Sequence, residues 1–113
     1  MESSTAGRRA ERTVQLPHRL RSAREAVMLR CEGRCENPDC SGQPTDVTVH
    51  GAAILEVDHV QPIADAGRDH PEQMIALCPN CHAMKTRGSR RAELQQKLLT
   101  VALQANRRWA AAG

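Results

Sequence analysis

At 113 residues the chain has the length of one domain, and two independently folding units would each be too small to bury a core. Hydrophobic residues make up 40 % and charged residues 26 %, ordinary for a globular protein, but Trp109 is the only aromatic. Aromatics supply much of the area a small core buries, so the five cysteines stand out as the reinforcement. The net charge is +3, carried almost wholly by arginine, which admits nucleic acid as a partner. No apolar run approaches the ~20 residues of a membrane span. Residues Met1 to Gln15 are polar, with no apolar stretch of a secretion signal. A cytoplasmic, reducing location is therefore expected, where cysteines serve metals or catalysis more often than disulfides.

In chain order, residues 1–16 read as a disordered basic arm carrying Arg8, Arg9 and Arg12, and residues 17–113 as a single domain. From His18 to about Arg30, Leu20, Ala23, Val27, Met28 and Cys31 recur at helical spacing. Cys31 to Thr45 is dense in helix breakers (Gly33, Asn37, Pro38, Gly42, Pro44) and reads as a loop. Asp46 to His50 alternates weakly, as a short strand would, and Ala53 to Val60 is β-compatible until Pro62. Asp65 to Pro71 is turn-rich, and Met74 to Leu77 is an apolar run leading into Cys78. A short helix is expected from about Cys81 to Thr86, stopped by Gly88. The last helix, residues 89–112, carries Leu94, Leu98, Val101, Ala102, Ala105 and Trp109 on one stripe.

Four cysteines form two knuckles, Cys35-x4-Cys40 and Cys78-x2-Cys81. Zinc favours four thiolate or imidazole ligands at the corners of a tetrahedron, and two short-spaced pairs each fill one edge. Pro38, Gly42 and Pro79 suit the tight turns such pairs need. A structural zinc on Cys35, Cys40, Cys78 and Cys81 would offset the thin core, since such sites contribute about 10–16 kcal/mol in finger peptides. Cys31, on the apolar stripe of the first helix, reads as a core residue, with a role as substitute ligand the lesser alternative. Four thiolates leave zinc no open position, so any chemistry must come from other residues that the ion holds in place.

The candidates are Asp58 and His59, adjacent at the end of an apolar strand, and His82, immediately after the second knuckle. A carboxylate with an imidazole suits a divalent ion with open positions, and a second imidazole beside it can deprotonate water near neutrality. Strand neighbours point to opposite faces, so Asp58 and His59 converge only if a bend follows; Pro62 suggests one. Asn80 reads as a turn residue, and His18, His50 and His70 as surface or structural groups.

The run Leu55-Glu56-Val57-Asp58-His59-Val60, followed by Gln73-Met74-Ile75-Ala76-Leu77-Cys78-Pro79-Asn80-Cys81-His82, resembles the HNH endonucleases of the ββα-metal fold. The form it resembles is the zinc-stapled, four-cysteine one, as in restriction and phage nucleases. The resemblance covers roughly Ala23 to Arg87, with its motif core at residues 31–88, and its signature positions are His59, Gln73 and His82. It implies an α+β fold: a small ββα-metal domain with a structural four-cysteine zinc site and flanking helices. It implies further that His59 is the general base and that Asp58 and His82 bind a catalytic Mg2+ or Mn2+, cleavage of DNA leaving a 5′ phosphate and a 3′ hydroxyl. The family's middle residue is normally Asn; Gln73 offers the same donors and acceptors with one more methylene.

Lys85, Arg87, Arg90 and Arg91 follow His82 closely and are placed to contact phosphates flanking the cut, the alternative being a solvated basic face. No base-reading element is evident, so duplex DNA with low intrinsic sequence specificity is the expected substrate. Fusion to, or association with, a recognition module would supply selectivity, and a homodimer is compatible with the sequence. Two other readings stay open at this stage: a catalytically weak zinc module that binds nucleic acid, and a zinc-stapled protein-interaction module.

Overall fold

Apolar residues on one side of the first basic segment fold it into helix α1, His18–Cys31, in the computed structural model, which describes residues 18–61 and 68–112. The basic arm expected over residues 1–16 and the turn around Gly67 lie outside the described residues. After α1 come strand β1 (Glu56–His59), a 3-10 turn (Pro71–Gln73), strand β2 (Met74–Leu77), helix α2 (Pro79–Arg87) and helix α3 (Arg91–Ala112). The two strands pair antiparallel, with Glu56 opposite Leu77, Val57 opposite Ala76, Asp58 opposite Ile75 and His59 opposite Met74. The result is the small α+β arrangement expected: a two-stranded sheet followed by a helix, flanked by further helices.

All four residues of β2 are buried, and their alternation divides the core in two. Ile75 and Leu77 pack with Val60, Cys78, Cys81, Leu98 and Ala102, joining the sheet to α2 and α3. Met74 and Ala76 pack with Val57, Ala23, Val27 and Cys31, joining it to α1. Cys31 is thus a core residue; its Sγ donates to the Met28 carbonyl at 3.3 Å.

One expectation about the elements needs correcting. Residues 46–50 do not make a strand: one bridge, Val47 to Ala53, closes a tight turn in which Gly51 takes a φ of +85° and Val49 is 97 % exposed. Weak alternation without a partner strand cannot hold an extended segment. Trp109 is 40 % exposed and so partly covered; it lies near the end of α3, which at 22 residues and so about 33 Å extends beyond the fully buried Leu98 and Ala102.

One buried cation binds the layers together. Arg30, its side chain 1 % exposed, makes a two-pronged pair with Glu36 at 2.7 and 3.0 Å. It also donates to the carbonyls of Pro71 (2.5 Å) and Met74 (2.6 Å) and to Asn106 Oδ1 on α3 (3.3 Å). Glu36 in turn takes the Ala76 N–H on its Oε1 at 2.9 Å and gives its own N–H to the Ala76 carbonyl at 2.8 Å.

Candidate active site and cysteine cluster

The turn after α1 opens with Glu32 and Gly33 at positive φ and delivers Cys35 to the first knuckle. Gln43 closes the loop, accepting the Cys35 N–H at 2.7 Å and donating to the Gly33 carbonyl at 2.9 Å. Buried Asn37 shapes the interior of the knuckle: its Oδ1 accepts the Asp39 N–H at 3.1 Å, and its carbonyl accepts the Cys40 N–H at 3.0 Å. The second knuckle is the start of α2, where Pro79 occupies the first turn and the Cys78 sulfur, as N-cap, accepts the Cys81 N–H at 3.5 Å.

The four sulfurs of Cys35, Cys40, Cys78 and Cys81 all lie within 4.8 Å of one another. A four-coordinate ion with metal–sulfur bonds of about 2.3 Å needs tetrahedron edges of about 3.8 Å; Cys40 Sγ and Cys78 Sγ are 3.6 Å apart. The donor set and its spacing therefore fit one tetrahedral ion, and Asn37 Nδ2 donates to Cys81 Sγ at 3.4 Å, a contact that favours a thiolate. Burial pushes the Cys35 thiol up to about 11 and the Cys81 thiol upward as well, whereas a backbone N–H bond from Gly42 lowers Cys40.

The cluster fixes the first turn of α2 and with it His82, the next residue. On β1, Glu56 and Asp58 are two apart and share a face, and both reach His82. Its Nε2 lies 2.9 Å from Asp58 Oδ2 and its Nδ1 is bonded to Glu56 Oε1. Lys85, three residues along α2 on the same face, turns inward to Asp58 Oδ2 (3.1 Å) and the His59 carbonyl (2.9 Å). Burial acts to raise the Asp58 carboxyl, but the Lys85 ammonium, its hydrogen bond and charge together, aided by His82, holds it below the usual carboxylate range.

His59 approaches the same place from the strand end. Bends at Val60 and Gln61 follow it, and its Nδ1 stands 4.0 Å from Asp58 Oδ1, the oxygen that accepts the His59 backbone N–H at 2.8 Å. Its other nitrogen, Nε2, is 2.7 Å from Asp69 Oδ1. The structure thus brings Asp58, His59 and His82 together. Gln73 joins through its backbone: its carbonyl accepts the Val60 N–H at 2.9 Å, while among the described residues its side-chain amide has no hydrogen-bond partner.

Of the four basic residues expected to meet phosphate, Arg87, Arg90 and Arg91 are exposed, Arg90 paired with Glu93 at 3.2 Å. Lys85 departs from that expectation. It is 4 % exposed because its ammonium satisfies a carboxylate and a strand-end carbonyl inside the protein. Sequence reasoning missed Glu56, Asp69, Arg30, Glu36 and Asn37. Glu56 had a usable signal, its two-residue offset from Asp58 on a strand; Asp69 meets His59 from ten residues further along the chain and had none.

A family model described as HNH endonuclease matches residues 31–88. The type IV methyl-directed restriction enzyme EcoKMcrA of Escherichia coli (strain K12) is 38 % identical over 56 residues, covering 50 % of this chain and 20 % of that protein. The structure of the type IV phosphorothioation-dependent restriction endonuclease ScoMcrA superposes with a TM-score of 0.73 at 52 % identity, covering 77 % of this chain and 19 % of that one. The chain thus spans about a fifth of each of these relatives. With matched residues that contain both cysteine knuckles, Asp58, His59 and His82, the chain belongs to the HNH endonuclease family.

Proposed function

We propose that this domain is a metal-dependent DNA endonuclease in which His59 is the general base, Asp58 and His82 hold a catalytic Mg2+ or Mn2+, and the four cysteines hold a structural zinc. The observation that carries this reading is the 2.9 Å separation of Asp58 Oδ2 and His82 Nε2 with the His59 ring beside them. Two ligands at about 2.1 Å and a right angle, as an octahedral ion demands, stand about 3.0 Å apart. Both side chains remain about a third exposed, which leaves room for the waters and phosphate oxygens such an ion keeps.

A divalent ion bound there would supply positive charge to a phosphate oxygen and to the departing 3′ oxygen. Glu56 orients the His82 ring and Lys85 holds Asp58 and the end of β1, so both groups are set before substrate arrives. His59 takes a proton from water as the water oxygen bonds to phosphorus. The bond from phosphorus to the 3′ oxygen breaks, and that oxygen collects a proton from solvent. Arg87, Arg90 and Arg91 would grip flanking phosphates, contacts that are indifferent to sequence and weaken with salt. Duplex DNA is the substrate that a chain spanning a fifth of two restriction enzymes supports best, with selectivity supplied by a recognition module.

The test is nicking of supercoiled plasmid by the purified chain in Mg2+ or Mn2+, wild type against His59→Ala. The expected outcome is cleavage that His59→Ala abolishes while circular dichroism and bound zinc are unchanged. Cleavage that survives in the folded variant refutes the role of His59, and absence of cleavage by wild type with both ions refutes the nuclease reading. A salt titration of DNA binding separates the protein-interaction reading, which predicts no salt-dependent affinity for DNA.

A further inference from the structure

We propose that Asp69 is the positioning residue of His59, fixing which ring nitrogen faces the reacting water. The inference rests on the nuclease reading above and deepens it. His59 and Asp69 are largely buried, their side chains 15 % and 16 % exposed, and Nε2 to Oδ1 is 2.7 Å, the length of a charge-assisted hydrogen bond. A carboxylate only accepts, so the proton of the neutral ring resides on Nε2 and the lone pair on Nδ1. Nδ1 is the nitrogen on the Asp58 side, 4.0 Å from Asp58 Oδ1. The contact therefore does two things at once: it selects the tautomer whose free electron pair faces the Asp58–His82 pair, and it stops the ring from turning over.

No other residue described around the ring does this. The Gln73 amide has no hydrogen-bond partner among the described residues, and Lys85 meets His59 only at its backbone carbonyl. The arrangement parallels the other imidazole, where Glu56 occupies the far nitrogen of His82. A carboxylate on the remote ring nitrogen sets tautomer and orientation, and at metal-ligating histidines its loss typically costs 10–100-fold in affinity or activity, which sets the scale expected here.

The experiment compares wild type, Asp69→Asn and Asp69→Glu in the full chain by two readouts. The first is steady-state plasmid cleavage, separated into kcat and KM. The second is the tautomer of His59, from nitrogen chemical shifts of 15N-histidine-labelled protein, the His59 signal being assigned with His59→Gln. Asp69→Asn keeps the shape but can turn either its oxygen or its amino group to the ring. It should lower kcat about 10–100-fold with KM for DNA unchanged, and shift His59 from the Nε2–H form to a mixture. Asp69→Glu returns a carboxylate and should recover part of kcat and the Nε2–H signal. An unchanged kcat in folded Asp69→Asn, or a wild-type His59 carrying its proton on Nδ1, overturns the proposal. If wild type fails to cleave, the nuclease reading falls, and with it any catalytic meaning of the contact; the tautomer measurement then still decides whether Asp69 holds the ring.

Discussion

Replacing Arg30 by methionine tests whether the fold depends on one buried cation. The side chain is 1 % exposed and makes five hydrogen bonds, two to Glu36 and one each to the Pro71 carbonyl, the Met74 carbonyl and Asn106. Methionine fills similar space but strands the Glu36 carboxylate, 7 % exposed, and leaves two carbonyls without this donor. Breaking a buried pair by removing one partner costs about 3–5 kcal/mol. For a domain of this size that corresponds to a fall in Tm of roughly 12–40 °C, a large share of the 5–15 kcal/mol that a whole domain has. The assay is urea denaturation followed by circular dichroism, with zinc saturating in every sample. Adding Glu36→Gln removes the stranded charge while keeping an acceptor for the Ala76 N–H, so the double variant should be more stable than the sum of the single changes by about 1 kcal/mol or more. A cost for Arg30→Met below about 1 kcal/mol, or strict additivity with Glu36→Gln, would refute the reasoning.

The cysteine cluster supports two further predictions. Cys81→Ser should abolish binding of one metal ion per chain and unfold the domain, because a site of this type contributes about 10–16 kcal/mol, whereas Cys31→Ala should keep the full metal content; elemental analysis with circular dichroism reads both. Acidification should strip the ion, since burial raises the Cys35 and Cys81 thiols and each must shed its proton to ligate. The apparent affinity should therefore fall at least about a hundredfold per pH unit on going down in pH, measured by chelator competition between pH 8 and pH 6; a flat profile would mean the thiols are not the ligands.

What the sequence disclosed and what it concealed divide along a physical line. The four cysteines, Asp58, His59 and His82 were legible as candidates because the residue types that can ligate a metal or move a proton are few, and their short spacings are local. The helices were legible because a buried face leaves a period of 3.6 residues. Arg30 and Lys85 were not, for a cation inside a protein is distinguished only by its partners. Those partners lie far off in the chain: Met74 is 44 residues from Arg30, and Asp58 is 27 from Lys85. Trp109 is only partly covered because a stripe specifies a direction around the helix but not where the core ends along it. The turn at residues 46–53 shows the same deficit in strands, whose partner is never local.

The placement of His82 explains why the cysteine cluster bears on the arrangement of Asp58, His59 and His82. Along an α-helix each residue turns by about 100° and advances 1.5 Å. His82 therefore meets the Glu56 and Asp58 face of β1 only while α2 keeps its rotation. That rotation is set at the helix start by Cys78 and Cys81 and one turn later by Lys85, whose ammonium reaches the end of β1. Gln95 Nε2 of α3 holds the Lys85 carbonyl at 3.0 Å and fixes the far side. A slip of one residue at the knuckle would swing the imidazole away from both carboxylates while leaving every residue of the signature present. The cysteine cluster is thus part of the site's geometry, and the two cannot be separated by mutation at either end of α2.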